Sequence, residues 1–196
     1  MSSSDPSLSI RDQKISLRKR LIRARQSIPP HLWRDKSDRI CNQIKSLSFF
    51  PTSRIVLAYR SFRGEPDLGP LFNLHRLWGL PRCEGKAMFW HRWYAGEPLP
   101  LQKGTLGITE PHPNSPGIDP DKVDLILVPA VACDVKGYRL GYGGGYYDRM
   151  LSDPRWANKP TIGIVFEYAR LPSLPREPWD RPLDGICTES GLFLVD

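Results

Sequence analysis

The 196-residue chain has no run of 18 apolar residues, the length a helix needs to cross a bilayer. Its longest apolar stretch, Leu125 to Cys133, is interrupted by Pro129. The opening residues, Met1 to Ser7, are polar and lack the apolar core of an export signal, so a cytoplasmic protein is expected. Its four cysteines, Cys41, Cys83, Cys133 and Cys187, form no C-x-x-C pair. That spacing supports neither a zinc ribbon nor a disulfide framework and reads as small buried residues of a reduced compartment. His31, His75, His91 and His112 include no i, i+4 pair, so a helix-borne zinc hydrolase site is unsupported. No repeat, low-complexity tract or shift in composition divides the chain.

What is present is ordinary in amount and uneven in place. Hydrophobic residues make up 40% and charged residues 25%, as in soluble globular proteins. The length suits one domain over 11–196, with 1–10 as a flexible N-terminal tail. The net charge is +7, and nearly all of it lies between Arg11 and Arg25, where seven basic residues face one acid, Asp12. Such a basic helix suits nucleic acid, an anionic surface or a nucleotide phosphate; it is also what a solvated helix face looks like.

Apolar spacing predicts helices over 12–27 and 31–47, with Lys14 and Arg18 on one face of the first. A strand follows at 55–59 and a helix at 67–78. The Pro- and Gly-rich middle holds a strand at 87–94. Almost continuous apolar runs predict buried strands at 123–128 and 161–166, a helix begins within 143–151, and 185–187 forms the last strand. Strands that alternate with helices predict an α/β fold with a mainly parallel sheet. Trp90, Trp93 and Trp156 are expected in packing rather than against a ligand.

The chemistry concentrates after the 123–128 strand. A polar loop leads through Arg139 and Leu140 to Gly141, Gly143, Gly144 and Gly145, and then to Tyr146, Tyr147 and Asp148. Ligands of open α/β sheets bind where strands end, and glycines let backbone N–H groups approach an anion closely. Arg139 suits bidentate pairing with a phosphate, and Asp148 suits a magnesium ion that bridges phosphates. No Lys-Ser or Lys-Thr follows the glycines, and they lie a dozen residues beyond the strand, so neither common nucleotide loop applies. The alternative is a tight turn before a helix, with Tyr146 and Tyr147 in the core.

The run V-P-x-x-A-x-D-x-x-G-x-R-L-G-x-G-x-G-Y-Y-D-R, from Val128 to Arg149, resembles the signature of the 5-formyltetrahydrofolate cyclo-ligase family. Other segments agree in order: Lys14-x-x-x-Arg18, Glu65, Leu80-Pro81-Arg82, Gly107-Ile108-Thr109-Glu110-Pro111, and Glu177-Pro178-Trp179-Asp180 with Leu183-Asp184 and Thr188-Glu189. The resemblance covers the chain from about Lys14 onward. It implies a three-layer α/β/α protein, similar in architecture to the sugar-phosphate isomerase-like superfamily. It also implies ATP- and magnesium-dependent cyclisation of 5-formyltetrahydrofolate to 5,10-methenyltetrahydrofolate. The formyl oxygen attacks the γ-phosphate, the second amine nitrogen closes on the activated carbon, and phosphate leaves.

By that resemblance, Arg139 and Asp148 are catalytic. Lys14, Arg18, Arg139, Leu140, Gly141, Gly143, Gly144, Gly145, Tyr146 and Tyr147 hold ATP. Arg60, Glu65, Tyr142, Gly143, Gly144, Gly145 and Tyr146 hold folate, and Asp148 with Asp180 holds magnesium. Many family members carry Lys where this chain has Gly144, so Arg139 or Lys14 must face the transferred phosphate here. The alternatives are an exposed pair for Lys14 and Arg18, a helix-start acid for Glu65 and a turn residue for Asp180. The partners are small molecules acting on a monomer, without nucleic acid or membrane. The rival readings are a module that binds nucleic acid or an anionic surface through the basic helix, and a relative with a changed substrate.

Overall fold

The computed structural model describes residues 9–74, 76–96, 98–104 and 107–195. It opens on α1 (Ile10–Gln26), whose N-cap Ser9 accepts a hydrogen bond from the Asp12 amide. Residues 9 and 10 of the expected tail therefore belong to a capped helix, and residues 1–8 lie outside the described residues, as does His75. α2 (Pro30–Lys45) starts on a proline, at the position where a missing N–H costs nothing.

The strands follow: β1 (Ile55–Leu57), β2 (Leu77–Glu84), β3 (Ala87–Trp93), β4 (Gln102–Lys103), β5 (Thr109–Glu110), β6 (Leu125–Pro129), β7 (Ala132–Asp134) and β8 (Arg139–Leu140). After them come α3 (Tyr146–Leu151), α4 (Pro154–Ala157), β9 (Thr161–Ile164), β10 (Arg170–Leu171), β11 (Gly185–Thr188) and β12 (Gly191–Leu194). The main sheet has the order β12-β11-β9-β6-β1-β2-β3. Its five inner strands are parallel and each edge strand is antiparallel. β10, β7 and β8 form a small second sheet, and β4 pairs with β5.

The inner strands are apolar on both faces because both faces are covered. Leu125 to Val128 of β6 are fully buried. Side chains alternate across the sheet, so Leu125 and Leu127 join Val56 and Ala58 beneath Ile40 and Ile44 of α2. Ile126 and Val128 join Leu57 on the opposite face, under Met150, Leu151 and Trp156. The fold is thus three layers, α/β/α. Leu21 of α1 closes a third cluster with residues 130–133 and Leu140.

Three expectations need correction. The helix expected over 67–78 is a 3-10 turn, Gly69–Asn73, followed by β2 from Leu77. Leu68, Leu71 and Phe72 do bury together, which is what the periodicity reflects. Pro70 opens that short turn, however, and Leu77 and Trp78 pair in parallel with Ile55 and Val56. The strand at 185–188 is not the last, because β12 turns back against it. The strands expected to reach residues 59 and 166 end at 57 and 164, and the chain beyond them forms loops at the carboxyl edge.

That edge places the site. The path from β1 to β2 runs over the α2 face through the 3-10 turn, whereas the path from β6 to β9 runs over the other face through α3 and α4. The loops after these neighbouring strands therefore part, and a crevice opens between them. Leu127→Ala, which leaves a void at the centre of the sheet, is expected to cost about 2–5 kcal/mol in urea denaturation. A loss below about 1 kcal/mol would contradict this account of the core.

Candidate active site

The crevice widens into a cavity of about 730 Å³. Its walls include every residue singled out from the sequence: Lys14 and Arg18 on α1, Arg60 and Glu65 after β1, residues 139–148, and Asp180. The basic N-terminal segment is therefore not only a solvated face, since Lys14, Arg18 and the buried Arg25 turn inward.

Three of the cations in the wall, Lys14, Arg18 and Arg139, are held by hydrogen bonds to the chain. Arg18 Nε donates to the Gly141 carbonyl at 2.7 Å and pins the start of the glycine loop. Lys14 Nζ donates to Asp180 Oδ2 at 2.5 Å. The same oxygen accepts from the Glu177 amide at 2.8 Å, so Asp180 is a turn residue and a cavity wall at once. Arg139 is buried; it donates to Asp148 Oδ1 at 2.6 Å and to the Arg181 carbonyl at 3.0 Å.

Gly143 and Gly145 have φ of +100° and +65°, a left-handed backbone that side chains disfavour. Gly145 is also the N-cap of the six-residue α3. Tyr146 ties this loop to the β2–β3 turn by donating to the Gly85 carbonyl at 2.8 Å. Tyr147 packs edge-on against Trp90 and belongs partly to the core. Its hydroxyl is buried, and among the described residues it has no hydrogen-bond partner. Burial keeps that hydroxyl protonated by raising its pKa.

Glu65 is 3% exposed. It sits in a tight loop ahead of the 3-10 turn, not at a helix start. Its Oε2 accepts from the Phe62 amide at 3.0 Å. Burial raises its pKa to about 7, against the opposing pull of Arg25, the Phe62 amide and the Tyr142 hydroxyl. Arg60 lays its guanidinium over Phe72 and Trp93, at 5.4 and 5.9 Å from the ring centroids. Trp90 and Trp156 are buried as expected, and Trp93 packs edge-on to Phe72.

Sequence reasoning missed Arg25, Phe62, Arg63 and Trp179 around this site. For Arg25 a signal existed, because positions 14, 18 and 25 share one helical stripe. Trp179 lines the cavity while 63% exposed, and its signal was its place beside Asp180 in the Glu177-Pro178-Trp179-Asp180 segment.

An arrangement of three cations, a glycine loop, a buried acid and an unpartnered hydroxyl suits an anionic ligand together with one that has a hydrogen-bond donor edge. The profile of the 5-formyltetrahydrofolate cyclo-ligase family matches residues 10–189. The chain belongs to that family. It is similar to the 5-formyltetrahydrofolate cyclo-ligase of Mycolicibacterium smegmatis, with 33% identity over 190 residues, 89% of this chain and 93% of that protein. The match to the Haemophilus influenzae 5-formyltetrahydrofolate cyclo-ligase is stronger and shorter: 41% over 87 residues, 43% of this chain and 46% of that protein. The NMR structure of Aquifex aeolicus 5,10-methenyltetrahydrofolate synthetase superposes with a TM-score of 0.81 and 34% identity, covering 93% of this chain and 92% of that one.

Gly144 lies against the ring of Tyr146. A Cβ here would lie 2.8 Å from the Tyr146 ring, so a side chain at this position requires that ring to move. Among the described residues no three or more acids, histidines or cysteines cluster to hold a metal on their own. Asp148 and Asp180 fit magnesium differently, as the one or two carboxylates that such an ion takes beside phosphate oxygens and water.

Glu65 links stability to pH. Its folded pKa, about 7, exceeds the 4.5 of a free carboxyl, so the folded protein holds more protons across that interval. The stability it contributes is complete below about pH 4.5 and is lost as pH rises through about 7. Glu65→Gln is expected to remove this slope, gaining about 3 kcal/mol relative to the parent between about pH 5 and pH 8 in urea denaturation. Parallel pH profiles for the two proteins would contradict the assignment.

Proposed function

We propose that this chain is an ATP- and magnesium-dependent 5-formyltetrahydrofolate cyclo-ligase, a cytoplasmic monomer that forms 5,10-methenyltetrahydrofolate with release of ADP and phosphate. The observation that carries the reading is the convergence of Lys14, Arg18, Arg139 and the glycine loop on the cavity that also contains Glu65. Lys14, Arg18 and the backbone of 141–145 take the triphosphate. Glu65 accepts from the donor edge of the pterin, and Tyr147 offers its unpartnered hydroxyl to the same ligand. Arg60 and Tyr142 line the folate path.

The chemistry needs no protein nucleophile. The formyl oxygen attacks the γ-phosphorus and the bond to ADP breaks. The neighbouring amine nitrogen then closes on the activated carbon and loses its proton, and the C–O bond breaks to release phosphate. Phosphoryl transfer of this kind depends on in-line placement and charge neutralisation. Arg139 faces the transferred group and neutralises its charge. Asp148 and Asp180 would hold magnesium, which would supply further neutralisation of that charge. Both carboxylates exchange part of their pairing with Arg139 and Lys14 when the anion arrives.

The test is near-ultraviolet absorbance of the methenyl product. Purified protein with 5-formyltetrahydrofolate and magnesium is expected to show a rise only when ATP is present. No rise from folded protein that still binds ATP would overturn the reading. Asp148→Asn is expected to lower kcat about 100-fold or more in a protein that still folds. Glu65→Ala is expected to raise KM for the folate about tenfold or more and to leave KM for ATP within about twofold. Equal losses for both substrates would show a structural role for Glu65.

A further inference from the structure

Arg25 is among the most deeply buried charges in the protein, at 3% exposure, and it does not line the cavity. Its Nε donates to the Arg63 carbonyl at 3.0 Å and one terminal nitrogen donates to the Ala130 carbonyl at 3.3 Å. Its other terminal nitrogen donates to the Tyr142 hydroxyl. One guanidinium thus joins α1, the loop after β1, the end of β6 and the glycine loop.

A second feature points the same way. Arg63 has a φ of 49°, left-handed and uncommon for a residue with a side chain, and Gly64 after it has a φ of 75°. Strained turns persist where surrounding contacts over-determine them. The bond from Arg25 to the Arg63 carbonyl is such a contact, and this turn delivers Glu65 two residues later. The Tyr142 hydroxyl lies between Arg25 and Glu65, with the Phe62 carbonyl at 3.4 Å as its other neighbour. The charged and titratable groups around Glu65 are Arg25 from α1, Tyr142 and Tyr147 from the segment after β8, and Tyr59 from its own loop.

We infer that Arg25 is a positioning residue that couples the glycine loop to Glu65, so that nucleotide on the loop and folate on the acid strengthen each other's binding. This rests on the functional reading above. Phosphates fix the loop, the loop fixes Tyr142, and Tyr142 with Arg25 fixes the Glu65 carboxylate. The ordering needed by either ligand is then incurred once, which makes the effect reciprocal.

The test is calorimetric titration of 5-formyltetrahydrofolate into the full chain, with and without a saturating non-hydrolysable ATP analogue and magnesium. In the parent protein the analogue is expected to tighten folate binding about fivefold or more. Arg25→Lys keeps the charge and loses the planar fork that reaches three acceptors. In that variant the factor is expected to fall below about twofold, with the analogue alone binding within about threefold of the parent. If Arg25→Lys does not fold, Tyr142→Phe carries the same expected loss of coupling. Coupling that survives in the folded variant, or uniform weakening of both ligands with the factor intact, overturns the inference and leaves the function standing. A parent protein that binds both ligands without coupling does the same. Failure of the parent protein to bind either ligand overturns the functional reading, and the inference with it.

Discussion

A parallel sheet cannot return on itself without a crossover, and β1 and β6 send their crossovers to opposite faces. The 3-10 turn after β1 packs with α2, whereas α3 and α4 after β6 pack on the reverse side. Right-handed connections and a parallel order leave no other way to place these segments. The gap at the carboxyl ends of the two strands is therefore a result of topology, and the site residues are those the diverging loops carry. α1 closes the gap from outside, with Leu21 in the apolar cluster and Lys14, Arg18 and Arg25 along the same face of the helix.

The electrostatics follow from that enclosure. A charge withdrawn from water must be paired or hydrogen-bonded. Arg139 rests on Asp148, Lys14 on Asp180, and Arg25 on two carbonyls and a tyrosine hydroxyl. These pairs hold the cations in place ahead of any ligand, so an arriving anion meets a rigid set of donors rather than flexible side chains. Glu65 is the exception. Burial outweighs its partners, and the acid sits near neutrality, ready to gain from a donor-bearing ligand.

Much of this was legible in the sequence because the relevant signals are local. The two-sided apolar run of β6, the glycines before α3 and the Lys14–Arg18 spacing each depend on neighbours a few residues away. Where partners lie far off, the sequence was silent or misleading. Leu68, Leu71 and Phe72 have helical spacing, yet Leu77 and Trp78 join a strand because β1, some twenty residues earlier, offers a free edge. β12 exists by pairing with β11. Arg25 looked like one more charge in a basic run, and its acceptors at Arg63, Ala130 and Tyr142 come together only in three dimensions. Glu65 could be named from its place in a motif, but its burial and its turn could not.

The central claim is that the β1/β6 crevice receives both ligands through different loops, and backbone amide shifts measure it directly. On ¹⁵N-labelled protein, 5-formyltetrahydrofolate is expected to move resonances of residues 59–65 and the start of α3. A non-hydrolysable ATP analogue is expected to move those of Lys14, Arg18 and 139–148. Shifts confined to the amino-terminal ends of the strands, around Arg54, Asp124 and Lys159, would place the ligands at the wrong edge of the sheet and contradict the account.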